Sequence, residues 1–209
     1  MSGLGTADFF YREAHRLGYV ARSAFKMQKQ YKLIKPGASV LDLGCAPGAW
    51  LQVACQDLGP MKNGGVVVGV DLKKVKVPSL HCDTRVRTVC ADVMNLPKEQ
   101  VRFLSPKGKG FSVVLSDMCP LVAGITTKDV ALSVEVGMRA LDLAVGGTVL
   151  SHPDSDIDQE ELSDSSTSKS DGNEFSQICK PRFRKASWLR PKATRSSSRE
   201  IYLICQDLW

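Results

Sequence analysis

A chain of 209 residues with 43% apolar content has sequence for one sizeable domain and too little for two comfortable ones. Its seven cysteines form neither a CxxC pair nor a regular spacing, which argues against a zinc site or a disulfide-stapled secreted module and for a reducing compartment. No apolar run approaches the roughly 20 residues that span a bilayer, and the first residues lack the apolar stretch of a secretory signal. The chain is expected to be soluble, intracellular, monomeric and without a membrane partner. Its opening "MSGLGTADFFYREAHRLGYVAR" mixes Asp8 and Glu13 with its arginines, a poor organelle presequence; mitochondrion, plastid, cytosol and nucleus all stay open.

In chain order, "YVARSAFKMQKQYKLIKPG" (19–37) reads as a helix running to the break at Pro36 and Gly37. Four β-rich runs follow, bounded by Gly, Pro or Asp: "SVLDLG" (39–44), "GVVVGVDL" (65–72), "RVRTVCADV" (85–93) and "FSVVLSDM" (111–118). Such runs suit buried parallel strands. Between the first two, "AWLQVACQDLG" sets Trp50, Val53, Ala54 and Leu58 at helical spacing and stops at Gly59. "TKDVALSVEVGMRALDLAVGG" (127–147) is helical to a Gly-Gly stop, "NEFSQICK" resumes as helix, and "REIYLICQDL" is strand-like. Strand and helix in this rhythm predict an α/β sandwich around a mostly parallel sheet with helices on both faces.

The net charge of +6 conceals segregation. From 154 to 174 there are eight acidic residues against Lys169 alone, whereas 180–199 holds eight basic residues and no acidic one. The acidic, serine-rich tract at about 147–174 reads as a disordered insertion in a single domain spanning 1–209. The basic stretch interleaves Arg182, Arg184, Lys185, Arg190, Lys192 and Arg195 with Phe183, Trp188 and Pro191. That mixture fits RNA better than a merely solvated cationic face, because phosphates reward the charge and unpaired bases stack on rings and guanidinium planes.

Ligands of open parallel sheets bind at the carboxyl ends of the strands. There, "VLDLGCAPGAW" carries a strand ending in Asp42, a turn through Gly44, Pro47 and Gly48, and a helix starting near Ala49 and Trp50. The glycines let a ligand lie against bare backbone. Pro47, and the lack of three framing glycines, separate this turn from the dinucleotide fingerprint and so disfavour a nicotinamide dehydrogenase. Asp71 ends the second strand, suited to ribose hydroxyls, and Asp92 ends the third, near an adenine. Each aspartate is also a possible turn former or helix cap; three at successive strand ends argue for one shared ligand.

"YVARSAFK", "VLDLGCAPGAWLQVA", "GVDL", "ADV", "VLSDM" and "ASWLRPKATRSSSREIYLICQ" together resemble the FtsJ-like (RlmE-type) ribose 2′-O-methyltransferases. The resemblance implies a Rossmann-like class I methyltransferase fold and S-adenosylmethionine as donor, held by Asp42, Gly44, Pro47, Gly48, Trp50, Asp71, Asp92 and Asp117. It implies RNA as substrate: a uridine of large-subunit ribosomal RNA, with transfer RNA as the alternative. It also implies catalytic roles for Lys26, Asp117 and Glu200. These types suit the reaction, since a ribose hydroxyl is a very weak acid that needs a base and groups that align it. A methyltransferase for small molecules or protein fits the basic C-terminal stretch less well.

The family pattern places a second lysine, the general base, on a strand after the helix that follows Asp117. Read literally, "GGTVLSH" puts His152 in that column, but Pro153 argues against a continuing central strand. The preferred reading is that the strand and its lysine are missing and the sheet is incomplete. About three residues are also missing between Lys26 and Lys35. A catalytically weakened RNA-binding protein that keeps the donor pocket is therefore the competing expectation.

Overall fold

In the computed structural model the chain is described over residues 4–27, 33–118, 126–145, 170–195, 198 and 200–209, with side chains placed for residues 9–27, 33–118, 131–145, 175–195, 198 and 200–209. The four β-rich runs become β1 (Ser39–Leu43), β2 (Val66–Asp71), β3 (Val86–Cys90) and β4 (Val113–Ser116), all parallel, in the order β3-β2-β1-β4. Strands covered on both faces need apolar residues on both, which is why these runs read as nearly continuous Val and Leu.

Alternation along β1 divides the core in two. Val40 and Asp42 point to one face, Leu41 and Leu43 to the other, and all four are fully buried. On the first face Val40, Val67 and Leu115 pack with Trp50, Leu51 and Leu58 of the segment containing α3 (Ala49–Asp57). On the second, Leu41, Leu43, Val68 and Val70 meet Val101 of α4 (Lys98–Leu104) and Leu143 of α5 (Thr126–Ala144). Each such fully buried side chain contributes about 2 kcal/mol of transfer free energy. This is the α/β sandwich with helices on both faces that the sequence predicts.

Around it lie α1 (Leu4–Arg16), α2 (Ala24–Met27) and α6 (Ser170–Cys179), with β5 (Phe183–Leu189) and β6 (Tyr202–Leu208) forming a separate antiparallel pair. Leu141 of α5 and Val145 just after it, Phe175, Ile178 and Cys179 of α6, and Phe183, Leu203 and Cys205 of the hairpin make one apolar cluster. That cluster fixes the hairpin beside the main sheet. Among the described residues no strand pairs with the free side of β4. His152 and the expected insertion up to position 169 lie outside the described residues; α6 begins at Ser170, within the stretch assigned to it.

Three boundaries differ from expectation. The helix expected over 19–37 is, among the described residues, the single turn α2. The reason is competition from α3: Gln52 Oε1 accepts from the Val20 amide at 2.9 Å, and Trp50 Nε1 donates to the Ser23 carbonyl at 2.9 Å. These side chains hold the segment's backbone against α3. β1 ends at Leu43, so Asp42 lies within the strand. β3 ends at Cys90, because after the Ala91 amide bonds to the Asp71 carbonyl (2.9 Å) the chain folds into a turn on Asp92. The helices α1 and α4 and the strand β5 have no counterpart in the sequence reading.

Candidate functional site

The turn after β1 is built by close approach. Gly44 (φ +76°) and Gly48 (φ +107°) adopt left-handed backbone that favours glycine. A Cβ on Gly44 would stand 2.9 Å from Met118 Cγ, and one on Gly48 would stand 2.9 Å from Pro78 Cγ. The Ala46–Pro47 peptide is cis. Asp71 fastens the turn from the neighbouring strand: its two carboxylate oxygens accept from the Ala46 and Lys73 amides, each at 2.9 Å. Each oxygen keeps a lone pair for another donor. Asp92 holds its own turn, accepting from the Met94 amide at 3.0 Å and from Asn95 Nδ2 at 2.6 Å.

Gly69 and Gln52 complete the support, and neither stands out in the sequence. Gly69, register partner of Asp42, leaves room where a Cβ would meet Cys45 Sγ at 2.7 Å and Leu51 Cδ2 at 2.9 Å. Gln52 is fully buried, and its Nε2 donates to the Gly18 and Leu80 carbonyls at 2.9 and 2.8 Å. It ties the N-terminal segment and the 72–80 loop to α3. A glycine interrupting a valine run is a legible sign of close packing; nothing local marks Gln52.

Asp42 is wholly buried and does not touch solvent, and a cation at the neighbouring turn would favour its ionised form. Both of its carboxylate oxygens lack a hydrogen-bond partner. Burial, then the charges of Asp117 and Asp71, push its pKa up to about 8. Three acids thus share the carboxyl end of β1, β2 and β4, an environment that favours a cation. S-adenosylmethionine fits this donor set: its sulfonium and ammonium are positive, and the glycine turn offers backbone at close range.

Beside the turn, four side chains from distant parts of the chain converge. Lys26 of α2 donates to Glu200 and, at 3.2 Å, to the Tyr202 hydroxyl, and lies 3.8 Å from Asp117 Oδ2. Tyr202 bonds to Asp117 Oδ1 at 2.6 Å and also to Glu200. A phenol has one hydrogen, so both contacts are satisfied only when one carboxyl carries a proton. Burial raises the pKa of Asp117, against the pull of Tyr202 and Lys26. Burial opposes it, yet hydrogen bonds from Lys26 and Tyr202 hold the pKa of Glu200 below the usual range. Asp117 is therefore the weaker acid of the pair. The Trp50 ring, 5.7 Å from that of Tyr202, joins the turn to this cluster.

The structure thus brings Lys26, Asp117 and Glu200 together as the sequence reading expects. It adds Tyr202, which stands two residues after Glu200, the spacing that places side chains on one side of an extended chain. That alternation was the available signal. Among the six basic residues expected to bind RNA, Arg182 donates to the Ile178 carbonyl at 2.7 Å and so secures the end of α6. Arg190 donates to the Ser198 carbonyl at 2.5 Å and fixes its loop. Arg184 lies over the Trp209 ring at 4.7 Å, and Lys185 pairs with Asp207 at 3.6 Å across an exposed edge. Lys192 and Arg195 are exposed. Arg22, half-buried beside this segment, donates to the Ala193 carbonyl.

Among the described residues no group of His, Cys, Asp and Glu could hold a metal ion, and no helix is long and apolar enough to cross a membrane. A cleft of about 570 Å³ lies at the opposite, amino ends of the strands, lined by Lys35, Gly37, Gly65, Lys109 and Ser112. Its size does not make it the site, because the converging charged groups are elsewhere. A smaller cleft of about 330 Å³ touches Pro47, Gln52, Lys76 and Pro78 beside the glycine turn.

Comparison with known proteins gives the family. A "Ribosomal RNA large subunit methyltransferase E" of Desulfatibacillum aliphaticivorans is 38% identical over 203 residues, covering 94% of this chain and 88% of that protein. A protein of the same name from Methanocaldococcus jannaschii is 32% identical, covering 95% and 78%. The fold matches the crystal structure of a Plasmodium falciparum chain described as a ribosomal RNA methyltransferase, with a TM-score of 0.63 at 20% identity over 91% of this chain and 98% of that one. The FtsJ-like methyltransferase family model matches residues 19–208, from just before α2 through the last strand, and the chain belongs to that family.

Proposed function

We propose that the chain binds S-adenosylmethionine at the turn of residues 44–50, with Asp71 and Asp92, and directs its methyl group to a ribose 2′-hydroxyl of large-subunit ribosomal RNA. The observation that carries the reading is the cluster of Lys26, Asp117, Glu200 and Tyr202 beside the glycine turn. When bound, S-adenosylmethionine supplies an electrophilic methyl on a positively charged sulfur. Lys26 and Tyr202 orient the hydroxyl oxygen by hydrogen bonding. Asp117, its pKa raised by burial, is in its ionised form the described carboxylate best suited to accept the proton that the hydroxyl gives up. The substrate class is supported by the names of the relatives and by the basic hairpin.

His152 standing where the family pattern places a second lysine favours a slow enzyme. A general base contributes about 10²–10⁴-fold to a rate, so methyl transfer should fall short by that order while donor binding persists. The test pairs donor calorimetry with single-turnover transfer to ribosomal RNA across pH, using wild type, Asp117→Asn and His152→Ala. Donor binding, slow transfer that rises with pH, and loss in Asp117→Asn support the reading. Loss confined to His152→Ala would assign the base to His152. Donor binding without any transfer would leave a silent RNA-binding protein, and no donor binding by folded wild type would sink the proposal.

A further inference from the structure

The loop after β2 reads "LKKVKVPSL" (72–80) and carries three lysines with no acid. Val75 and Val77 are partly buried against the core under α3, while Lys74 and Lys76 are exposed, as are Lys73 and Leu72 at the preceding bend. This is the alternation of an extended segment, which sets Lys74 and Lys76 on one side about 6.6 Å apart. That separation is comparable to the distance between neighbouring phosphates of a single RNA strand. The segment is also fastened along its length. The Lys73 amide bonds to Asp71, Thr88 Oγ1 donates to the Val75 carbonyl at 2.8 Å, Pro78 packs against Gly48, and Gln52 donates to the Leu80 carbonyl. No described ion pair engages any of the three lysines.

Position gives the loop its meaning. In the order β3-β2-β1-β4, the catalytic cluster stands on the β4 side of the glycine turn and this loop on the β2 side, about two strand spacings or 10 Å away. Between loop and N-terminal segment lies the 330 Å³ cleft, with Val20 and Leu80 exposed at 43% and 58% on its rim.

We infer that Lys73, Lys74 and Lys76 form a second phosphate-binding track, so that an RNA strand crosses the carboxyl ends of the sheet held on both sides of the ribose to be methylated. The inference rests on the chain's being an RNA methyltransferase, and it adds a contact that the basic hairpin does not supply. Rigid backbone is what separates this track from a solvated lysine run: fixed charges bind phosphate without first being ordered.

The test titrates a fluorescent fragment of large-subunit ribosomal RNA into full-length protein at several salt concentrations. Replacing Lys73, Lys74 and Lys76 together by Gln should weaken binding about tenfold at moderate salt and reduce the slope of log affinity against log salt by about 2. The same positions changed to Arg should keep wild-type affinity, and donor affinity should be equal in all three proteins. A Gln variant that binds like wild type, while charge reversal at Arg184, Lys185 and Lys192 weakens binding, would overturn the second track and leave the proposed function standing. Wild type that binds no RNA would overturn both.

Discussion

Lys26 meets Glu200, Tyr202 and Asp117 at a half-buried position where three acceptors surround one ammonium. Replacing it with Met keeps much of the length and removes the charge. Two carboxyls then face each other without a cation, and methyl transfer in a single-turnover assay should fall about 10²-fold or more while donor affinity holds. Asp42 yields a prediction about stability. Its folded pKa is about 8, above an unfolded value of about 3.9, so between those values the folded chain holds a proton that the unfolded chain has released. Stability therefore declines as pH rises through that window. Asp42→Asn should remove the decline and raise Tm most at pH near 8; an unchanged pH dependence of Tm would show that Asp42 is not the group responsible. Lys26, Asp117 and Glu200 were legible because each stands in a short motif. Tyr202 was signalled only by its alternation with Glu200, and Gln52 not at all, because their roles come from partners tens of residues away.

The β1 turn and α3 behave as a unit whose fit is set by glycines. Gly48→Ala forces a Cβ into left-handed backbone and against Pro78, and should cost roughly 1–2 kcal/mol in denaturant unfolding, with donor affinity falling further than RNA affinity. Gly69→Ala tests packing alone, since only the space beside Cys45 and Leu51 is lost; overpacking there should cost about 1–3 kcal/mol. If Gly69→Ala is neutral, the core under α3 is looser than its contacts imply. The four parallel strands were readable to within a few residues because burial on both faces leaves a valine-rich run whatever the tertiary detail. The segment before them was not. Its residues alternate between helical signals and backbone groups taken by Trp50 and Gln52, and propensity gives way to such tertiary partners.

At the scale of the whole molecule, the hairpin and the 72–80 loop are the two basic segments proposed to meet RNA. Reversing Arg184, Lys185 and Lys192 to Glu, and sparing the structural Arg182, should weaken binding to many RNA sequences alike and flatten the salt slope. An unchanged slope would argue against the hairpin as an RNA surface. The strand order of the sheet was legible only in part, because a sequence shows which runs are strands but not that β5 and β6 pair with each other apart from the parallel set. The contact between Lys26 and Glu200 spans 174 positions of sequence, and closing so long a segment costs chain entropy before any local reward. The β1–β2 pairing closes a much shorter one. Assembly of the site should thus be a late event on the folding pathway and an early one on unfolding, with the hairpin opening before the sheet. Native-state hydrogen exchange should find the amides of Phe183–Leu189 and Tyr202–Leu208 trading protons at lower opening free energies than those of Ser39–Leu43; equal protection would mean that the chain's two ends close in the same cooperative step as its centre.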